Sequence, residues 1–245
     1  MCYHASVAAT LEQLSNHYQK PFLGEFPSFF SPTNLVGYHL SGFNFPLLPI
    51  ISQEQPNAFS FANWGLIPSW IKFREEAESI RLNTLNAKIE TLLEKPSFKQ
   101  AVVSQRCLIP LTGFFEWKQI NSKEKQPYFI HLQNSSIFSV AGISENWINP
   151  ENQQMVRTFS IITTEANGLM SEIHNTKKQM PFILSNEAEQ LWLNQTINAT
   201  EILNEINLIE EEKMQAYKIS KLISSKVSNV PQVLLPFIES QTKLF

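Results

Sequence analysis

Four runs of sequence decide the fold: AVVSQRCLIPLTGFFEW at 101–117, PYFIHL at 127–132, SIFSVAGIS at 136–144 and VRTFSIITT at 156–164. Each is rich in β-branched and aromatic residues, the side chains that fit a pleated, half-buried surface. Polar turn segments part them, NSKEKQ at 121–126 and NPENQQ at 149–154. Short strands punctuated in this way predict an antiparallel sheet of barrel or sandwich form.

Outward from this block the pattern changes. Residues 21–60 carry Pro21, Pro27, Pro32, Pro46, Pro49 and Pro56 among many phenylalanines, which predicts loops and short strands. TLEQLSNHYQ at 10–19 predicts a short helix. Thr10 and Gln13 have the spacing of a capping box, and Leu11, Leu14 and Tyr18 that of an apolar face. Helices are expected at 187–195 and 199–213, the first capped by Ser185 or Asn186. AYKISKLISSKVSN at 216–229 alternates and is expected to form an edge strand with basic residues on one face. No composition shift marks a boundary. The expected architecture is a single α+β domain over 1–245, with an antiparallel, barrel-like β core and peripheral helices.

Composition narrows the chemistry. The 245 residues are 43% hydrophobic and 17% charged, an ordinary globular balance. Glycine is scarce, 7 residues where average usage would give about 17. None are spaced as GxGxxG or GxxxxGK, so a glycine-lined phosphate cradle is excluded and no cofactor is implied. Two cysteines, Cys2 and Cys107, make no disulfide framework. His4, His17, His39, His131 and His174 are scattered, with no CxxC or HExxH, so no metal site is expected. Neither a leader nor a membrane span is evident, and a soluble, cytoplasmic monomer is expected. The net charge of −3 gives nucleic-acid binding no bulk support, so any such contact must rest on local charge.

Several residues carry potential chemistry. Cys2 follows the initiator, and removal of Met1 would expose a 1-amino-2-thiol. Its amine, with a reference pKa of about 7.7–8.0, keeps a neutral fraction near pH 7. Such a terminus can act as a nucleophile with its own amine as base. It can also close on an aldehyde through an imine to a thiazolidine. The bland alternative is an incidental cysteine at a frayed end. Glu116, among the aromatics of LTGFFEWK, is either an acid–base group with a raised pKa or an exposed glutamate at a strand end. His174, in SEIHNTKKQMP, is either a proton shuttle or a histidine stabilising a helix C-terminus. Asn86, in RLNTLNAKIET, either caps a helix starting at Ala87 or offers its amide to a substrate. Trp64 and Trp70 in WGLIPSW either stack on unpaired bases or belong to the core. Lys177–Lys178 and Lys218, Lys221 and Lys226 read by default as solvated faces.

Together, Met-Cys at the start, WGLIPSW, NAKIET, RCLIPLTGFFEW, QPYFI, IITTEAN and the IH…MP segment resemble, in order and spacing, the SOS-response-associated peptidase family. The resemblance reaches from Cys2 to SKVSN at 225–229. It implies one α+β domain around a barrel-like core with a basic groove for single-stranded or junction DNA. It also implies a covalent link between Cys2 and the ring-opened aldehyde of an abasic site. Asn86 would hold the sugar, Glu116 would serve as acid–base group and His174 would assist proton transfer. A peptidase activity removing residues ahead of the cysteine is implied too. DNA contacts carried over by motif fall on His4, Trp70, Lys88, Thr163, Lys177, Lys178 and Gln179. Departures concern this groove. Met-Cys-Tyr-His stands for the commoner Met-Cys-Gly-Arg, and NAKIET for NARAET. GYHLSGFNFP stands at the turn after the tyrosine, and HNTKKQMP widens a tighter His-x-Arg-Met-Pro. Two other readings compete with the crosslinker: an N-terminal-nucleophile cysteine peptidase or amidohydrolase, and a non-catalytic single-strand-binding module.

Overall fold

The structure is a computed structural model that describes residues 2–23 and 33–238. Met1, Pro27 and Pro32 lie outside the described residues, as does the start of the expected single domain and its last residues, 239–245. Along the chain run β1 (His4–Thr10), α1 (Leu11–Tyr18), β2 (Leu35–Ser41), β3 (Leu47–Ser52), β4 (Gln55–Trp64), α2 (Arg74–Arg81) and β5 (Asn86–Lys88). Next come α3 (Ala101–Ser104), β6 (Arg106–Leu111), β7 (Gly113–Gln119), β8 (Lys125–Leu132), β9 (Phe138–Ile148) and β10 (Met155–Glu165). The series ends with α4 (Gly168–Ile173), β11 (Gln179–Pro181), α5 (Asn186–Leu193), α6 (Ala199–Glu205) and β12 (Met214–Lys218).

The barrel is present. Strands β10, β4, β3, β6 and β9 hydrogen-bond in that order, and β9 pairs back to β10, closing the ring. Five strands cannot close on antiparallel pairs alone, because direction would have to alternate around an odd number. The β10–β4 pair is parallel and resolves the parity. A second, open sheet runs β12-β8-β7-β1-β2. Apolar residues fill the interior, among them fully buried Trp64, Trp192, Phe59 and Phe159. Two indole N–H groups find carbonyls there, Trp64 on Leu85 at 2.8 Å and Trp192 on Cys107 at 3.0 Å. Trp64 is therefore core, and so is Cys107.

Pro49 and Pro110 sit inside barrel strands, which proline normally avoids. The β3–β6 ladder is confined to Ile51–Leu108 and Ser52–Cys107, so both prolines lie beyond it and their missing donors break no bond there. The capping box of α1 forms as expected, Gln13 N–H donating to Thr10 and Thr10 N–H to Gln13. Ser185 caps α5 through Ala188 N–H.

Elsewhere the sequence reading needs correction. Residues 101–104 form a helical turn, not the start of a strand, and Arg106 holds the Val102 and Val103 carbonyls at its end. The helix expected over 199–213 stops at Glu205, because Leu208 and Ile209 turn extended to pair with Leu184 and Ile183. The strand expected over 216–229 spans Met214–Lys218, at the sheet edge, before a 3-10 turn at Lys221–Ser224. Asn86 caps no helix, since it lies in β5, paired parallel to β10 opposite Ile161. Gly65 is a turn glycine with φ +99°, but Gly113 opens β7, where an added Cβ would lie 2.2 Å from the Phe129 ring. Gly113 is needed for close approach, not for a turn.

Candidate functional site: a cleft at the start of the first strand

The pairing of β1 with β7 ends at Ala5–Phe114. Beyond that point β7 continues through Glu116 and Trp117 while the chain ahead of β1 carries Cys2 and Tyr3. A cleft of about 300 Å³ opens there, lined by Tyr3, His4, Glu116, Trp117, His174 and Lys177, among others. Larger depressions exist, such as one of about 460 Å³ beside His17 and Glu189, but chemistry rather than size marks the first.

Glu116 is mid-strand in β7 rather than at its end, and is 5% exposed. Burial raises its carboxyl pKa from the usual range to about 7, against a weaker pull downward from the Trp117 N–H and the Lys177 charge. A carboxyl so placed is half protonated near neutrality and can give or take a proton.

His174 is delivered by α4. Asn167 caps this short helix by accepting from Met170 N–H at 2.9 Å, and the Glu211 carboxylate accepts from Gly168 and Leu169 N–H. Negative charge on a helix N-terminus is favourable. At the other end His174 donates its main-chain N–H to Met170 O at 2.7 Å. Its Nδ1 lies 2.8 Å from Gln179 O. A carbonyl only accepts, so Nδ1 carries the proton and the neutral ring turns a bare Nε2 outward. That Nε2 stands 3.9 Å from Glu116 Oε2. The gap is too long for a direct hydrogen bond and leaves room for a shared proton carrier or a reacting atom. Burial lowers the His174 pKa, which keeps the ring neutral and basic at Nε2.

Cys2 is fully buried, its thiol 3.8 Å from His4 O. Burial and then the nearby Glu116 charge push its thiol pKa well upward. The group is held as a thiol at neutral pH, not as a thiolate.

The other expected residues divide. His4 and Lys177 line the cleft. Gln179 is buried and acts through its carbonyl on His174, while exposed Lys178 has a left-handed φ of 47°. Lys88 is exposed and lies in register with Thr163, which faces Pro181 on its other side. Asn86 and Thr163 do not line the cleft, but both are buried, and Asn86 Oδ1, Asn86 Nδ2 and Thr163 Oγ1 have no hydrogen-bond partner in the protein. Buried polar atoms left unpaired are costly. Trp70 is 48% exposed and away from the cleft lining. Tyr3, Trp117 and Lys125 were not foreseen as lining residues, because no local pattern distinguishes a cleft wall from a surface strand.

A sequence profile described as SOS response associated peptidase (SRAP) matches residues 1–226. The chain is 39% identical over 189 residues, 77% of its length and 81% of the relative's, to the abasic site processing protein YoqW of Bacillus subtilis (strain 168). It is 28% identical over 201 residues to the abasic site processing protein HMCES of Pongo abelii, covering 71% of this chain and 55% of that one. A crystal structure of a protein from Bacteroides thetaiotaomicron superposes with a TM-score of 0.89 at 36% identity, covering 97% of this chain and 100% of that one. A second, from Bordetella bronchiseptica, shares the fold at a TM-score of 0.73 and 20% identity, over 89% of this chain and 100% of its own. With the profile spanning most of the sequence and the barrel matched throughout, the chain belongs to the SOS response associated peptidase (SRAP) family.

Proposed function

We propose that this chain processes abasic sites in DNA by capturing the ring-opened sugar aldehyde on Cys2 after Met1 is removed. The observation that carries the reading is that Glu116 and His174 line one cleft 3.9 Å apart, with Cys2 buried behind its wall within reach of the Glu116 charge. An abasic site offers no base to read, so recognition falls to a pocket, to phosphate contacts and to stacking. Lys88, Lys177 and Lys178 supply exposed charge for phosphates, and Trp70 an exposed ring for a neighbouring base. Asn86 and Thr163 offer their unpaired polar atoms to the sugar–phosphate, His4 lines the wall, and Gln179 holds His174 through its carbonyl.

The chemistry balances without a cofactor. The neutral Cys2 amine adds to the aldehyde carbon, Glu116 protonates the oxygen, and the nitrogen returns one proton to Glu116 as the carbinolamine forms. Glu116 protonates the departing hydroxyl, which leaves as water, and takes the remaining nitrogen proton, so that the neutral imine is left and Glu116 is restored. The thiol then adds to the imine carbon, its proton passing through His174 Nε2 to the nitrogen, and the thiazolidine ring closes. The amine attacks before the sulfur because burial keeps the thiol protonated. Closing the ring removes the imine, the species prone to β-elimination.

The test mixes protein, shown by intact mass to lack Met1, with an abasic single-stranded oligonucleotide. A heat-stable adduct heavier by the oligonucleotide less one water is expected, and none from Cys2→Ala. Absence of an adduct, or turnover of a peptide unaffected by abasic DNA, overturns the reading.

A further inference from the structure

The environment of His4 is that of a relay, not of a cation. Its Nδ1 lies 2.9 Å from His39 Nε2, and His39 Nδ1 lies 2.7 Å from Ser228 Oγ. The two rings are 25° from coplanar with centroids 5.1 Å apart. With a 2.9 Å nitrogen contact, that geometry is end to end through a hydrogen bond, not face to face. Phe115 and Trp117 are two apart on β7 and so share a face. Trp117 presses edge-on against His4 at 4.8 Å and Phe115 against His39 at 5.3 Å, sheathing the pair in apolar surface. Asn229 fixes the outer end by accepting from Tyr38 and His39 N–H. Burial lowers the pKa of both histidines to about 4, with His39 adding to the effect on His4, so both rings are neutral.

Two neutral imidazoles joined this way share one proton between them, which allows two arrangements. In one, Ser228 donates to His39, His39 donates to His4, and His4 Nε2 carries a hydrogen. In the other, His4 donates to His39, His39 donates to Ser228, and His4 Nε2 is a bare acceptor. His4 lines the cleft with Glu116 and His174, while His39 and Ser228 line a separate depression of about 410 Å³ with Lys226.

We infer that His4, His39 and Ser228 form a proton relay from the reaction cleft to the separate depression that His39 and Ser228 line. The inference rests on the proposed aldehyde capture, and it gives the protons that Glu116 and His174 move a second route to solvent. A DNA strand seated over the cleft would cover the direct route to solvent, while carbinolamine dehydration and ring closure each move protons. One concerted shift along the chain takes a proton from the cleft into His4 Nε2 while Ser228 releases its own to water, and the reverse shift, with water giving a proton to Ser228, returns one to the cleft and restores the starting arrangement. No net charge is stored in the apolar sheath. His4 is thus a candidate catalytic residue, and His39 and Ser228 act through it.

The experiment measures the single-turnover crosslinking rate on an abasic oligonucleotide from pH 5 to 8, with equilibrium binding to the same oligonucleotide measured beside it. Groups facing the relay that titrate or carry charge are Glu116, His174, Lys125 and Lys177 at the cleft and Lys226 outside. They are unchanged in every variant. His39→Gln retains hydrogen-bonding capacity but cannot exchange donor and acceptor ends. Its rate is expected to fall about tenfold with binding unchanged, less than the roughly 100-fold or more of a direct acid–base group, because Glu116 and His174 still act. His39→Ala is expected to be slow and to recover with added imidazole, which enters from the outer depression. Ser228→Ala, a surface change with little risk to folding, is expected to slow the reaction less. Wild-type rates across the pH range in His39→Gln and Ser228→Ala, or loss of rate through binding alone, overturn the relay. Wild-type protein that forms no adduct overturns the capture reaction itself and the relay with it.

Discussion

Arg106 and Glu116 are both charged residues buried in β strands, and they are treated in opposite ways. Arg106 is fully buried, and its guanidinium donates to five carbonyls, those of Val102, Val103, Trp192, Asn194 and Ile197. Its plane also lies 5.8 Å from the Trp192 ring. The group ties the ends of α3 and α5 to the barrel. Glu116 is set differently. Its carboxyl pKa is raised to about 7 by burial, it faces a histidine at 3.9 Å, and the nearby strands hold unpaired Asn86 and Thr163 atoms. A buried polar group whose bonds are complete stabilises the scaffold. One left incomplete costs stability and is retained for what it binds or transfers.

Substitutions can break this contrast. Arg106→Ala leaves a cavity and five carbonyls without their donor, and is expected to lower unfolding stability by roughly 4 kcal/mol. A urea midpoint close to wild type would show that the cage is dispensable. Arg106→Lys should fall between, since an ammonium cannot reproduce the planar fork.

Glu116→Gln is expected to slow crosslinking about 100-fold while leaving the protein as stable or more so at neutral pH. The sign follows from linkage. A carboxyl whose folded pKa is raised from 4.5 to about 7 binds its proton more tightly folded than unfolded. Its contribution therefore declines as pH rises from 4.5 to about 7, by up to about 1.4 kcal/mol per unit. Below 4.5 both states are protonated and the penalty is absent. His174, with its pKa lowered, works in the reverse direction below its ordinary value. Unfolding curves of Glu116→Gln should lose the Glu116 part of this slope, and an unchanged slope would mean that Glu116 is not the group titrating.

Asn86→Leu sharpens the contrast further. Both amide atoms lack protein partners, so the change is expected to raise stability by about 1 kcal/mol while weakening crosslinking. Loss of stability would mean that the amide is satisfied within the fold. Lys88→Ala has the smallest expected effect: binding to single-stranded DNA weakens, and the salt slope drops by about 1. A slope equal to wild type would argue that Lys88 touches no phosphate.

Much of this was legible in advance. The strands of 106–164, the capping box of α1 and the order of the family motifs could be read from alternation, side-chain oxygens at fixed offsets and residue identity. Those are local signals. The misread segments were ones where a distant partner overruled the local pattern. Asn86 became a strand residue because β10 offered a parallel edge, and the helix from Ala199 ended early because Ile183 and Leu184 claimed the following chain. Helix α2, with the sequence REEAESIR, is mostly polar and offered little apolar periodicity to find.

For the site, sequence alone supplied the chemical types: a second-position cysteine, a carboxyl among aromatics, a histidine before a Met-Pro break and a lysine-bearing NAKIET. It could not supply environment. That Glu116 titrates near neutrality, that His174 presents Nε2 and not Nδ1, and that His4 meets His39 depend on burial and on partners far along the chain. The pKa of a side chain and the tautomer of a ring are set by desolvation and by the hydrogen bonds at hand, and only the tertiary structure brings those to the residue.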